Sequence, residues 1–332
     1  MTATPNNSHA ALHCYAGWSQ EPLEGCSSGG AAFLLSAHWI QDLDGIVYAS
    51  AFIPDEKTVS VCRITTLEGL RATRGSKYVR GRFPAETFRL LKADLEAGRN
   101  VLFIGTPCQV DGIRKRLVHK PSNLILADLL CHGMPPASSL REEVRYLTGD
   151  RPVTDVRFRD GARGDFHLSI WNKDECLYSV KAQKQPYVLA MLQGVTLMEG
   201  CYQCPFASPK RTGDITFGDY IALGKEVEVP EGRRISYISV NSEEGAACYG
   251  HFLQLHPDFH AIERPVSERL GYAPSILKPT RRHPLRDRFL ERLPRLGFAK
   301  AVRRTMRGEM LRQSPFYKRL HHLAHRLKQL FQ

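Results

Sequence analysis

The sequence predicts an α/β protein: a mixed, largely parallel sheet flanked by helices, with an antiparallel β portion and a basic helical C-terminal tail. Three observations carry this. The runs Val101–Ile104 and Leu124–Leu130 are short, predominantly apolar and closed by Gly and Pro turn signals, the pattern of strands buried on both faces. Helical stretches lie between such runs, the order a sheet of parallel strands with crossovers requires. From Val153 the texture changes to period-two alternation, in Val156–Asp160 and Phe166–Trp171, joined by Gly161–Gly164 as an antiparallel pair.

Taken in order, Cys26-Ser27-Ser28-Gly29-Gly30 opens an apolar-periodic helix over Ala31–Leu43. Serines and glycines at a helix start offer capping hydroxyls, free N–H groups and close backbone approach, which suits a phosphate cradle and equally a plain capped loop. Ile46–Phe52 and Val59–Ile64 read as strands, and Leu67–Thr73 as a short helix leading into Arg74-Gly75-Ser76-Lys77-Tyr78-Val79. Pro84–Ala97 is a helix, begun by Pro, with Leu90, Leu91 and Leu95 on one face and Gly98 as its stop. The strand after it ends in Gly105-Thr106-Pro107-Cys108, and the next strand in Cys131-His132-Gly133; Pro135-Pro136 starts a helix through Leu140 and Val144. Tyr187–Met198 reads as a helix delivering the chain to Cys201 and Cys204, followed by strands at Asp214–Phe217 and Ile235–Val240 and a helix at Glu243–Leu255. The chain divides into an α/β part over 13–150, a part with the Cys-x-x-Cys pair and antiparallel strands over 151–280, and a basic tail over 281–332.

The net charge of +12 belongs wholly to that tail. Residues 281–332 carry 15 Lys and Arg against 3 Asp and Glu, while the 280 residues before them balance at 31 basic and 31 acidic. Phe316, Leu320, Leu323, Leu327 and Leu330 form one apolar stripe, with Lys318, Arg319, Arg326 and Lys328 on the other sides. This is either a helix docked on its own domain or a basic amphipathic helix on an anionic membrane or partner. Nucleic acid ranks behind both, because the tail has few aromatics to stack and no recognisable module. No run approaches 18 apolar residues, so no segment is expected to span a membrane, and the polar start at Met1–Ala11 carries no secretory signal. A reducing cytoplasm is therefore the expected compartment, at the inner face of the membrane if the tail binds lipid. There Cys-x-x-Cys reads as a metal or redox site.

Two cysteines at strand ends and a Cys-x-x-Cys pair further on can converge above a sheet, where ligands of α/β proteins sit. Four thiolates suit a cubane iron–sulfur cluster and also a structural zinc. Zinc sites usually take two close ligand pairs; here only one pair is close, which favours a redox centre. The neighbouring Lys210 and Arg211 offer cations to such a site or a solvated turn. No Gly-x-Gly-x-x-Gly follows a strand and no Walker loop is present.

Seven motifs in this order, from Cys14-Tyr15-Ala16 through Ser27–Gly30, Arg74–Val79, Gly105–Gln109, Cys131–Gly133 and Cys201-x-x-Cys204 to Asp214–Asp219, resemble the coenzyme F420 hydrogenase/dehydrogenase beta-subunit family over roughly residues 13–295. The resemblance implies a flavin oxidoreductase carrying FAD beside a [4Fe-4S] cluster, with electrons passing between an iron–sulfur donor and an organic acceptor. It matches Cys108, Cys131, Cys201 and Cys204 to the cluster ligands. It marks Ser27, Ser28, Gly29, Gly30, Gly75, Ser76, Lys77, Tyr78, Thr106 and Asp219 for the flavin site, with His132 and Lys77 as candidate catalytic groups, Lys77 facing the diphosphate. The family's frequent ferredoxin-like module is not seen before Cys14, which implies a separate donor such as a ferredoxin. Tyr220-Ile221-Ala222-Leu223-Gly224 departs from the family's usual aromatic–Gly continuation, so the acceptor is open. The alternative is a non-catalytic, metal-stapled partner recruited by its tail to a membrane-associated assembly, such as one of polysaccharide biosynthesis.

Overall fold

The structure is a computed structural model, which describes residues 10–163, 166–270 and 277–313. The elements in chain order are β1 (His13–Ser19), α1 (Ala31–Gln41), β2 (Ile46–Ile53), β3 (Thr58–Ile64), α2 (Leu67–Arg71), α3 (Ala85–Glu96), β4 (Val101–Gly105), α4 (Pro107–Arg116), β5 (Leu124–Leu129) and α5 (Ala137–Thr148). They continue with β6 (Asp155–Arg157), β7 (His167–Asn172), β8 (Glu175–Lys181), α6 (Pro186–Leu192), β9 (Ile215–Asp219), β10 (Ser236–Val240), α7 (Glu243–Leu255), β11 (Phe259–Glu263), α8 (Val266–Leu270) and α9 (Arg286–Gln313).

One eight-stranded sheet runs β11-β1-β10-β9-β5-β4-β2-β3. Its centre, β2, β4, β5 and β9, is parallel, with Phe103 opposite Leu126 and Asp128 opposite Thr216. Antiparallel strands close both flanks. The apolar runs that read as buried strands are buried: every residue of β4 and the first five of β5. Apolar clusters on the two sides of these strands, one around Leu35, Leu102 and Phe252 and the other around Tyr48, Leu91 and Phe103, make the sheet the middle layer. A three-stranded antiparallel sheet, β6-β7-β8, lies entirely within 151–280, whereas the large sheet takes strands from both sides of residue 150.

Two differences from the sequence reading have local causes. The helix expected over Tyr187–Met198 ends at Leu192, because Gly194 takes φ 71° and turns the chain, and a separate 3₁₀ turn, Glu199–Gln203, presents the Cys-x-x-Cys pair. Strands β1, β8 and β11 have no strong alternation of their own and take their form from neighbouring strands. The basic tail divides as well. Its described part, α9, is docked: Phe289, Phe298, Ala301, Val302 and Met306 are buried with Leu140 and Tyr187. Arg303 makes a two-pronged ion pair with buried Glu143. Pro294 and Gly297, at φ 67°, break α9 into two helical arms that wrap this core. The apolar stripe Phe316–Leu330 lies outside the described residues.

Candidate functional site

The carboxyl ends of β4, β5 and β9 point to one edge of the sheet, where Thr106, Cys131, His132, Gly218 and Asp219 line a cleft of about 300 Å³. Its opposite wall comes from the loops before α1 and after α2. Ser27, Ser28, Gly30, Gly75, Ser76, Lys77 and Tyr78 all line it. Of the residues singled out for the flavin site, Gly29 alone stands behind the wall.

The two loops are joined to each other and to the sheet. Ser76 N–H donates to Ser27 Oγ at 2.7 Å, so the serine–glycine turn and the Arg74–Tyr78 turn form one surface. Ser28 Oγ lies 3.0 Å from Ser236 Oγ, which also accepts from Ala31 N–H in the first turn of α1. Gly29 cannot be another residue without backbone movement. A β-carbon there would lie 2.2 Å from the Gly17 carbonyl oxygen and 2.8 Å from Ser236 N. Gly29→Ala is therefore expected to cost about 1–3 kcal/mol, the usual range for forced overpacking; urea denaturation measures it.

Lys77 does not reach into the cleft as a free cation. Its ammonium donates to the carbonyls of Thr73 at 3.0 Å, Arg74 at 2.5 Å and Gly75 at 3.3 Å, using all three N–H groups to close its own loop. Burial lowers its pKa to about 8, against the pull of Asp155 and Cys26. Arg74, the other cation of that turn, stacks over Phe33 at 4.1 Å, and both side chains line the cleft. On the β9 side Arg159 donates to Asp219 Oδ2 at 2.6 Å, and the Tyr78 phenol is held above its ordinary pKa chiefly by burial. Cys26, read as an unassigned thiol, also lines the cleft; it sits next to Ser27 but belongs to no Cys-x-x-Cys spacing that could have marked it.

The four selected cysteines come from three places. Cys108 is exposed in the first turn of α4, Cys131 follows β5, Cys201 is within the 3₁₀ turn and Cys204 caps its end. They form one electrostatic set. Burial pushes the Cys131 thiol up to about 12; a nearby Gly133 N–H, 3.4 Å from its sulfur, pulls the other way, and negative charge on Cys108, Cys201 or Cys204 would push further up. Cys204 is raised by burial too, and by charge on Cys108 and Cys201. Gly133 permits the convergence: it takes φ 98°, and a β-carbon there would meet Leu197 at 2.8 Å and the Cys201 β-carbon at 3.0 Å. No three of these thiols fall within 4.8 Å of one another. Tetrahedral zinc, with bonds near 2.3 Å, would place its sulfurs about 3.8 Å apart. A buried thiol that resists ionisation, grouped with three others, is a donor set that a cationic iron centre would complete by deprotonating it.

Arg211 is the larger surprise. It is 4% exposed and binds Asp128, itself fully buried, through Nη2 at 2.8 Å, and does not face solvent or the thiols. Nη1 reaches the carbonyls of Phe206 and Ser208. Asp128 Oδ2 accepts from Thr212 N–H and Oγ–H and from Gly213 N–H. This pair fastens the segment after Cys204 to β5, the strand that leads to Cys131.

The chain is thus a mixed α/β protein with a cleft at the carboxyl edge of its central parallel strands and Cys131 in the lining of that cleft. Residues 98–254, which hold β4, β5, β9 and all four cysteines, match the family described as the C terminus of the coenzyme F420 hydrogenase/dehydrogenase beta subunit. Over that segment the chain is similar to the F420 hydrogenase/dehydrogenase beta-subunit family. The fold is similar to that of a chain in the F420-reducing [NiFe] hydrogenase complex from Methanosarcina barkeri, at 15% identity and a TM-score of 0.55, covering 83% of this chain and 90% of that one. No curated relative matches.

Proposed function

We propose that the protein is an FAD- and [4Fe-4S]-dependent oxidoreductase that passes electrons between an iron–sulfur donor and an organic acceptor. The observation that carries this reading is that the cleft and the cysteine set share a wall. Cys131 belongs to both, and Thr106, in the cleft lining, has its hydroxyl 3.2 Å from the Cys108 sulfur. Cys108, Cys131, Cys201 and Cys204 would hold the cluster, and the Ser27–Gly30 and Gly75–Tyr78 turns would hold the flavin. When bound, the flavin supplies exchange between two-electron hydride chemistry and the one-electron chemistry of the cluster.

The chain's own residues supply the rest. The joined loops cover one side of the cleft, and Gly218 and Asp219 at the end of β9 cover the other. Lys77 fixes the loop shape through its three carbonyls, which makes it a positioning residue. Exposed His132, on the cleft rim beside Cys131, would exchange a proton with an acceptor. Exposed Cys108 gives a separate donor such as a ferredoxin a short route to the cluster. Among the described residues no helix is long and apolar enough to cross a membrane; recruitment to an anionic membrane would rest on the tail beyond Gln313.

The test is an absorption spectrum with iron, zinc and flavin analysis on protein purified without oxygen. About four irons and one flavin per chain is the expected result. A colourless protein holding one zinc would overturn the redox reading in favour of a metal-stapled partner.

A further inference from the structure

Away from the cleft, the last turn of α1 and the end of α7 bring together three side chains distant in sequence. His38 Nδ1, Asp42 Oδ2 and His256 Nε2 form a triangle with edges of 2.7, 3.2 and 3.2 Å. We propose that this triangle is a binding site for a divalent cation of the zinc class, taken by His38 Nδ1, Asp42 Oδ2 and His256 Nε2, with solvent completing the coordination.

Hydrogen bonds alone do not satisfy the triangle. If both imidazoles donate to Asp42 Oδ2, their two N–H groups face each other across the 3.2 Å edge. If only one does, the lone pair of the other ring faces either the carboxylate or that ring. With a cation inside, all three atoms present lone pairs and every edge is accounted for. Bonds of 2.0–2.2 Å place neighbouring ligand atoms about 3.3–3.6 Å apart in a tetrahedron and about 2.8–3.1 Å apart at right angles; the two 3.2 Å edges lie close to these spacings, and the 2.7 Å His38–Asp42 edge would open on binding.

The surroundings are those of a metal ligand set. The second nitrogen of His38, Nε2, lies 3.2 Å from His251 Nδ1, the kind of outer partner that fixes which imidazole nitrogen faces the metal. His38 is buried, and its ring meets Phe252 edge-on, while Phe252 stacks on His256, so both rings are held in place by an apolar wall. Asp42 caps α1 and His256 caps α7, so the negative ends of two helix dipoles converge on the triangle. Two histidines with one carboxylate suit zinc, cobalt, nickel or ferrous iron more than magnesium or calcium. The metal would tie the carboxyl ends of α1 and α7 together, about 12 Å along α1 from the Gly30 turn at the cleft.

Equilibrium dialysis of the full-length protein against buffered zinc, with the wild type loaded with its cofactors, separates this site from the cysteines. The comparison needs the wild type, a Cys201→Ser/Cys204→Ser variant, Asp42→Asn and His256→Gln. The expected result is one zinc per chain in the wild type and in the cysteine variant, with at least tenfold weaker binding in Asp42→Asn and His256→Gln. His251→Ala, at an exposed position, should weaken binding while leaving the triangle in place. Cobalt in the cysteine variant should give ligand-field bands without thiolate charge-transfer absorption. Zinc should also raise the melting temperature of the cysteine variant, a measurement that needs no change in the triangle. The proposal fails if zinc disappears with the cysteines, if the cysteine variant shows neither binding nor a thermal shift, or if folded Asp42→Asn and His256→Gln bind as tightly as wild type.

Discussion

Serine in place of Cys131 is expected to remove nearly all iron from the anaerobically purified protein and to lower its flavin content. The other ligand positions should lose iron with less effect on flavin. The reason is location: Cys131 is the one selected cysteine that lines the cleft, and its backbone continues directly into His132 on the rim. A hydroxyl is a poor substitute for thiolate at an iron centre, which selects soft sulfur donors. The burial that holds the thiol up at about 12 would keep a serine hydroxyl protonated as well. Cys62 and Cys248 pack against the apolar layer around Leu35 and Phe252 and do not line the cleft, so their serine variants are the controls and should keep both cofactors. Equal iron in wild type and Cys131→Ser would remove this residue from the ligand set.

The second large effect belongs to Asp128. Asp128→Ala leaves the Arg211 guanidinium buried without its counter-charge and orphans the Thr212 and Gly213 N–H groups. Removing one partner of a buried ion pair typically costs about 3–5 kcal/mol, a large part of the roughly 5–15 kcal/mol by which a domain is stable. The midpoint in urea measures it. Because the pair joins the Cys204–Gly213 segment to β5, iron retention should fall even where the variant remains folded. Asp128→Asn keeps acceptor oxygen and volume while losing charge, so it should fall between the two. An unchanged midpoint for Asp128→Ala would show that other Arg211 contacts, to Phe206, Ser208 and Leu129, suffice.

Much of the site was legible in the sequence because its signals are local. A strand buried on both faces is predominantly apolar, so Val101–Gly105 and Leu124–Leu129, with Asp128 the one charged residue in either, announced themselves and their carboxyl ends with them. Cys108, Cys131 and the Cys201–Cys204 pair stand out by their turn settings, and Ser27–Gly30 by serines and glycines before a helix. The limits were equally physical. Lys77 has the same local sequence whether it faces a phosphate or its own loop; the loop conformation decides, and it turns the ammonium onto three carbonyls. Arg211 reads as surface charge until β5 brings Asp128 beside it from 83 residues away.

The sequence by itself determined the α/β class, the parallel centre of the sheet and the cysteines that stand at strand ends, because hydrophobic period and turn chemistry act between near neighbours in the chain. Tertiary structure alone decided that the cleft and the cysteine set share Cys131, that α9 is docked on the core, and that His38 and Asp42 meet His256 from more than 200 residues away. Those contacts follow from strand order and register, which set which distant side chains face each other and which no local pattern encodes.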